Sequence, residues 1–418
     1  MTKFTVYFTG AFLAILTLLA VSSIVIDPYA MFGTARVEGL NKYKLTAINY
    51  MRVVKPYHVG FRDYDVLITG SSRIGQGLDC RFYTEQGLDC YNSALPGGGI
   101  YEAYRFLQQR PESISKAIIS LEFFVFLREN LAQPEFEERR LMLGADGSWS
   151  PQFVTQSIND LYGLLFASQT LRSSKSTWKR QNAPFTNPRA DGMLYLDNWG
   201  GWNFDPSTLD SSRPNVRVNR QVSRFKNVLD TMKAYHFTYS QDLDQARANM
   251  KRQLGSYRDI LEVAYQHDIQ VKFVLPPSHA SYWMIIRYLG LYPVFEQWKK
   301  SLVRLNEKLA RHHAREPYPI FDFSGANNIN LSPPPVRGRP NTFSQLFNDT
   351  MHFSSQVGEE MLERLSGECV NKKTALFGHC LTGNNINRVM RRQESRFKAY
   401  EKNNKKYLAS IFPAQGDI

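Results

Sequence analysis

Residues 65–73 have the sequence DVLITGSSR, in which a short apolar run leads directly into a Gly-Ser-Ser turn. A continuous apolar run of this kind is typical of a strand buried on both faces of a parallel sheet. Ligands of such sheets collect beyond the carboxyl ends of the strands. We therefore expect Ser71 and Ser72 at the edge of the sheet where a site forms. Taken alone, the same turn is better explained as an ordinary turn and helix cap.

Strand and helix patterns alternate along the rest of the chain, which predicts a three-layer α/β/α, flavodoxin-like parallel sheet. Further apolar strands are predicted at 117–121, 269–275 and 318–323. Helices are predicted at 100–109, 250–264, 294–312 and 354–365. Ser354 has the residue type and position of an N-cap for the last of these helices.

The pattern divides the chain into successive regions. Residues 127–240 are rich in Trp, Asn, Ser, Pro and Gly and lack a clean period, so they are predicted to be a large insertion in the α/β core. The predicted regions are a membrane anchor at 1–30, a connecting region at 31–60, the α/β domain at 61–383, and a basic helical or disordered tail at 384–418.

The N-terminal segment Phe4–Ile26 carries no charge and is long enough to cross a hydrocarbon core of roughly 30 Å as a helix. A cleaved signal peptide is the alternative, but the residues at 25–29, VIDPY, make a poor cleavage site. We favour a single uncleaved span, with the lipid bilayer as a partner. Because only a short tail precedes the span, the large domain is expected outside the cytoplasm.

The chain carries a formal net charge of +13, and part of it lies in the C-terminal tail. Such a basic surface suits anionic lipid headgroups or an acidic polysaccharide, and a solvated basic helix is an equally good interpretation. No nucleic-acid-binding motif is present in the sequence, so nucleic acid is not expected as a partner.

The four cysteines form two pairs that are close in sequence, Cys80 with Cys90 and Cys369 with Cys380. In an exported protein an even count permits disulfides, and these pairings are the local ones among three connectivities. Four reduced cysteines in a cytoplasmic domain are the alternative. No Cys-x-x-Cys occurs, so zinc is a poor alternative. The chemistry expected of this chain implies no metal and no organic cofactor.

Two further segments carry candidate chemistry. Residues 91–99, YNSALPGGG, end in three glycines whose amides can approach a ligand closely, or which simply form a flexible turn. They match neither a dinucleotide fingerprint nor a P-loop. In Asp349-x-x-His352 the carboxylate is spaced to orient the imidazole, which would accept a serine proton and later return it. A turn-capping aspartate beside a surface histidine is the simpler interpretation of that motif alone.

Taken in order, the Gly-x-Ser turn, the Asn-x-x-x-x-Gly turn and Asp-x-x-His resemble the SGNH/GDSL hydrolase superfamily. The closest likeness is to its membrane-anchored envelope branch, which includes the proteins of alginate O-acetylation and teichoic acid D-alanylation. The resemblance covers about residues 60–126 and 245–367. It implies that Ser72 is the nucleophile, that the Ser72 and Gly97 amides form the oxyanion hole, and that His352 and Asp349 are the base and its orienter.

The sequence departs from that superfamily after the third core strand, where the expected oxyanion-binding Asn is replaced by the run SLEFF at 120–124. Losing one such donor typically costs about a hundredfold in rate. Arg73, Glu122 and His279 are candidate substrate-binding residues. The alternatives are an ion pair for Arg73 and Glu122 and a structural role for His279.

The resemblance implies an acyltransferase or esterase that acts on an exported or cell-envelope polysaccharide. The acyl donor would come from a membrane acyltransferase partner or the polysaccharide synthesis machinery. Two alternatives stand beside this expectation. One is a non-catalytic binding component of a polysaccharide synthesis or export assembly; the other is a lipid esterase, which a deep apolar pocket would favour.

Overall fold

The chain is mixed α/β, with an N-terminal apolar helix and a mostly parallel six-stranded sheet. The computed structural model describes residues 2–44, 46–181, 187–195, 214–232, 243–369 and 377–412. Parts of the predicted insertion, residues 182–186, 196–213 and 233–240, lie outside the described residues.

Helices account for most of the regular structure. In the first half of the chain they are α1 Thr2–Ile26, α2 Met51–Phe61, α3 Ser72–Gly77, α4 Arg81–Thr84, α5 Ile100–Leu107, α6 Phe123–Phe126, α7 Pro151–Phe166 and α8 Ser168–Lys179. In the second half they are α9 Pro214–Met232, α10 Leu243–Gln266, α11 Ala280–Tyr288, α12 Tyr292–His312, α13 Ser355–Ser366, α14 Ile386–Asn403 and α15 Lys405–Ala409.

The main sheet has the strand order β2-β1-β3-β6-β7-β8, and a two-stranded sheet joins β4 to β5. Neighbouring strands of the main sheet are parallel except β8, which pairs antiparallel with β7. The strands are β1 Val66–Thr69, β2 Cys90–Asn92, β3 Lys116–Ser120, β4 Asn187–Pro188, β5 Leu194–Tyr195, β6 Gln270–Leu275, β7 Ile320–Asp322 and β8 His379–Cys380.

The chain divides into two compact units. The first comprises residues 1–62 and 134–197, so part of the predicted insertion clusters with the N-terminal region. Its helix α1 is long and apolar enough to cross a membrane, and nearly all of its apolar length is exposed. Near its carboxyl end α1 packs on α7 and α8, and the Ser23 hydroxyl donates to the Leu165 carbonyl at 2.9 Å.

The second unit comprises residues 63–133 and 198–418 and contains the six-stranded sheet. Side chains from alternate strand positions form one buried cluster with α3 and α13; they include Val66, Ile68, Ile118, Val274, Phe321, Ile74, Val357, Met361 and Leu365. Helix α10 contacts both α5 and α12, and Tyr257 of α10 meets Phe273 of β6 edge to face at 4.9 Å. Every strand of the parallel part is therefore buried, as the apolar runs predicted.

Most predicted elements of this unit are confirmed to within a few residues. Ser354 is confirmed as an N-cap, because its hydroxyl accepts a hydrogen bond from the Val357 amide at 3.2 Å. Both local disulfides, Cys80–Cys90 and Cys369–Cys380, are formed. The predicted tail is helical as α14 and α15, and α14 packs against α11 and α12.

Candidate active site

The Gly-Ser-Ser turn begins where β1 ends. Gly70 lies so close to β3 that a Cβ on it would come within 2.5 Å of the Ser120 Cβ, so a side chain does not fit there. Ser71 is the N-cap of α3, and its hydroxyl accepts a hydrogen bond from the Arg73 amide at 3.2 Å. Because Ser71 is used in capping, Ser72, the first residue of α3, is the hydroxyl that the turn presents to the sheet edge.

Three side chains form a continuous hydrogen-bonded chain at this edge. The Ser72 Oγ lies 2.9 Å from the His352 Nε2, and the His352 Nδ1 lies 2.8 Å from the Asp349 Oδ2. Only 13% of the His352 side chain and 19% of the Asp349 side chain are exposed. The carboxylate fixes the proton on Nδ1, which leaves Nε2 as the acceptor for the serine hydroxyl.

The Asp349 carboxylate also organises the turn that carries the histidine. Its Oδ1 accepts from the Met351 amide at 2.7 Å and from the His352 amide at 2.8 Å. Burial alone would raise the pKa of Asp349, but the charge of His352 and these hydrogen bonds outweigh it and lower the pKa to about 2. Asp349 is therefore ionised at neutral pH and stabilises a positive charge on the imidazole.

Two glycines allow the nucleophile helix and the helix after His352 to touch. A Cβ on Gly358 of α13 would overlap the carbonyl oxygen of Gly77 at the end of α3. A Cβ on Gly77 would overlap the ring of Phe353, the residue next to the histidine. This close backbone contact joins the two halves of the hydrogen-bonded chain, and sequence patterning gave no sign of it.

The glycine turn after β2 lies beside the nucleophile turn. The Leu95 amide donates to the Gly70 carbonyl at 2.9 Å, and a Cβ on Gly98 would come within 2.6 Å of that same oxygen. Within the described part of the chain, the amides of Ser72 and Gly97 donate to no protein acceptor. Both amides are therefore available to an oxyanion.

Sequence reasoning missed the side chains that fix Gly97. Arg128 Nη1 and Gln133 Nε2 both donate to the Gly97 carbonyl, at 2.5 and 3.2 Å. Because the peptide group is planar, a carbonyl held in this way fixes the orientation of the peptide group that joins Gly97 to Gly98. Neither residue belongs to a motif, so only their position after the third strand offered a signal.

Arg73 and Glu122 are brought together, with only 4% and 2% of their side chains exposed. Arg73 Nη1 lies 3.4 Å from the Glu122 Oε2, and its other nitrogens donate to the carbonyls of Met351, Pro276 and Pro277 and to the Ser278 hydroxyl. Glu122 Oε1 accepts from the Ser71 amide and the Ser120 hydroxyl. The pair links the nucleophile turn to the histidine turn, and its predicted part in substrate binding stays a prediction.

His279 lies behind the candidate site and is fully buried. It is the N-cap of α11: its Nδ1 accepts from the Ser281 amide at 3.2 Å, and its Nε2 lies 2.8 Å from the Ser332 carbonyl. Burial lowers the pKa of His279 to about 4. These contacts give the residue a structural role, the alternative that the sequence left open.

Arg224 on α9 is a further neighbour that the sequence did not single out. Its Nη1 donates to the Asn348 Oδ1 at 2.5 Å, and its charge acts on Asp349. In the part of the chain that the structure describes, no group of His, Cys, Asp and Glu side chains is arranged to hold a metal ion.

No protein-family model matches the chain, and no curated protein sequence matches it significantly.

Proposed function

We propose that the chain is a membrane-anchored, SGNH-like serine acyltransferase or esterase with a three-layer α/β/α core. Its proposed substrate is an ester on an exported or cell-envelope polysaccharide. The observation that carries the proposal is the Ser72–His352–Asp349 hydrogen-bonded chain, with separations of 2.9 and 2.8 Å at the carboxyl edge of a parallel sheet. A hydroxyl, a base and an oriented carboxylate in this sequence are the parts that nucleophilic acyl transfer needs.

In the first step the Ser72 Oγ attacks the acyl carbonyl carbon while its proton moves to the His352 Nε2. The amides of Ser72 and Gly97 stabilise the resulting oxyanion. When the tetrahedral intermediate collapses, the ester C–O bond breaks and the leaving alkoxide takes the proton from His352. Ser72 then carries the acyl group, and Asp349 has stabilised the transient imidazolium throughout.

In the second step a water or a sugar hydroxyl attacks the acyl-serine and gives its proton to His352. Collapse of this second intermediate returns the proton to Ser72 Oγ. Water makes the reaction an ester hydrolysis, whereas a sugar hydroxyl makes it an acyl transfer. The acyl donor for a transferase would come from a membrane acyltransferase partner.

The apolar helix α1 and the two disulfides support the proposed location. A helix of this length and composition is what a single-pass inner-membrane anchor requires. Disulfides persist in oxidising compartments such as the periplasm and are rare in the cytoplasm. We therefore place the second compact unit, with its candidate site, on the periplasmic side.

The test is hydrolysis of an acetyl ester such as 4-nitrophenyl acetate by the full-length protein in detergent. Ser72→Ala and His352→Ala should each lower kcat/KM by at least about 10³-fold. Ser71→Ala is the matched control in the same turn and should retain most of the activity. Hydrolysis that is indifferent to Ser72→Ala and His352→Ala would overturn the mechanism.

A non-catalytic binding component is the second candidate, because Glu122 stands after β3 where the resembled superfamily has its oxyanion-binding Asn. Glu122 is occupied by Arg73, Ser71 and Ser120, so it donates nothing to an oxyanion. Acetylated polysaccharide distinguishes the two candidates. Saccharide binding by the wild type without any Ser72-dependent release or transfer of acetate would favour the binding component.

A further inference from the structure

A pocket lies on the sheet edge that carries the candidate active site. Its cavity volume is about 90 Å³, and it is open to solvent on one side. It is lined by the turn Gly325–Ala326, by His379, and by Arg388, Arg392 and Arg396 of α14. The turn follows β7, which is parallel to β6, so the pocket is at the carboxyl edge, as Ser72 is.

The three arginines stack one helical turn apart and bring three positive charges to one pocket. Like charges at this spacing destabilise a helix unless something neutralises them. Among the described residues no carboxylate lies within 4.0 Å of any of the three, and no acidic side chain lines the pocket. Their helical neighbour Glu394 pairs instead with Arg287 and Lys398.

Arg396 makes the unbalanced charge more pronounced. Its Nη2 donates to the Asn328 Oδ1 at 3.2 Å, while its Nη1 is screened from solvent and has no acceptor. Burial and the charge of Arg392 both lower the pKa of Arg396. A guanidinium nitrogen without an acceptor adds to the positive potential of the pocket, and an anion that accepts from it would lower that potential.

A buried network holds this arginine face in place. Gln393 lies between Arg392 and Arg396, and its Nε2 donates to the Asp322 Oδ2 at 2.8 Å. The same Asp322 oxygen accepts from Lys299 Nζ at 2.7 Å, and both charged side chains are fully buried. Helix α14 is thereby fixed to the end of β7, so the pocket is preformed and little ordering is needed before a ligand binds.

We propose that this pocket is a subsite for a carboxylate or phosphate group carried by a carbohydrate chain. Guanidinium groups match such oxyanions with paired, charge-assisted hydrogen bonds. Arg388 and Arg392 are exposed and supply those donors, while Arg396 adds charge from the wall.

The position of the pocket favours a polymer over a lipid headgroup. Strands β1 and β7 are three places apart in the sheet, so the pocket lies about 14 Å along the edge from the Ser72 turn. One oligosaccharide is long enough to occupy both the pocket and the region around Ser72. The subsite deepens the proposed function, because it would hold an anionic part of the polymer whose ester Ser72 attacks.

Binding of oligogalacturonate to the full-length protein in neutral detergent, measured by calorimetry, tests the subsite. The measurements use the Ser72→Ala background, so that binding is scored whether or not the protein is an esterase. Arg388→Gln and Arg392→Gln should each weaken binding by about tenfold, and the pair by more. Arg391→Gln removes the same charge from an exposed position of α14 outside the pocket and should leave the affinity unchanged.

Inorganic phosphate should compete with oligogalacturonate, and a neutral glucan of equal length should not bind. Equal weakening by Arg391→Gln would show a general charge effect and overturn the subsite. So would failure of the Ser72→Ala parent protein to bind either anion. Binding to phosphatidylglycerol vesicles in place of oligogalacturonate, lost in Arg392→Gln, would assign the pocket to lipid and also overturn the proposal. Thermal unfolding of each variant establishes that α14 remains folded.

Discussion

Two histidines near the carboxyl edge of the sheet show what separates a candidate base from a structural residue. His352 has a carboxylate on one ring nitrogen and a hydroxyl on the other. His279 has a serine and a backbone carbonyl in those places and lies among the rings of Phe225, Phe347 and Tyr400. Both rings are hydrogen-bonded at both nitrogens, so bonding alone does not distinguish them.

The difference lies in how each site treats a positive charge. Asp349, ionised and beside His352, stabilises an imidazolium, which makes proton uptake at Nε2 feasible. Among the residues that the structure describes, no charged side chain pairs with His279, and burial lowers its pKa to about 4, so this ring stays neutral at pH 7. A base needs a nearby counter-charge, whereas a cap needs only a fixed neutral tautomer.

The largest expected effect comes from removing the counter-charge of His352. Asp349→Asn keeps the shape of the side chain but lets the imidazole take the wrong tautomer, so kcat should fall by about 10³- to 10⁴-fold. Acetyl ester hydrolysis measures the loss, and circular dichroism establishes that the fold is kept. Wild-type activity in Asp349→Asn would remove the distinction between the two histidines.

The second largest effect is a loss of stability when His279, the structural histidine, is removed. His279→Ala takes away a helix cap, leaves the Ser332 carbonyl without its donor and opens a cavity, which together should cost about 3 kcal/mol of unfolding free energy. Urea denaturation measures this cost. Activity per folded molecule should stay within about twofold of wild type, because His279 contacts no member of the triad. A large loss of kcat without loss of stability would give His279 a functional role after all.

The smallest expected effect is a pH dependence of stability. Because the pKa of His279 is about 4 when folded and about 6.5 when unfolded, the unfolded chain binds the extra proton between these values. The contribution of His279 to the free energy of unfolding is therefore complete above pH 6.5. It is lost as the pH falls to 4, and the loss is at most about 3 kcal/mol. The pKa of Asp349 is lowered to about 2, so protonation of this carboxylate reduces the stability only below its ordinary pKa near 3.8.

His279→Asn isolates the contribution of His279 to the pH dependence of stability, since asparagine also caps helices but does not titrate in this range. Unfolding free energies of both proteins at pH 7, 6, 5 and 4 should converge as the pH falls. Subtraction removes the contribution of His58, whose pKa is also lowered to about 4 by burial. Parallel curves would mean that His279 is protonated without cost in the folded state.

The sequence predicted the parallel core strands because each is a short apolar run that leads into a turn. It also singled out Ser72, Gly97, Asp349 and His352, through the order of three motifs that resembles the SGNH/GDSL superfamily. It did not predict β8, since two residues are too few to show a period. It placed residues 134–197 in the insertion, whereas their contacts are with the N-terminal region, and local composition carries no information on such distant packing.

Within the site, the residues that local patterns failed to reveal act over long sequence separations. The Arg73–Glu122 pair, the Gly77–Gly358 contact and the Arg128 hydrogen bond to Gly97 each join segments that are distant in the chain. The type of a residue suggests what kind of partner it pairs with, as the charge of Arg73 suggested an acidic partner. Only the folded backbone determines which residue of that kind lies within reach.

The sequence separation of 280 between Ser72 and His352 has a consequence for how the chain is made. A nascent chain that leaves a translocation channel from its N-terminus exposes the serine long before the histidine is synthesised. During that interval Ser72 has no base, so the proposed acyl transfer does not take place. In the proposed function, the onset of activity would therefore follow the synthesis and export of the segment that carries Asp349 and His352, just before α13.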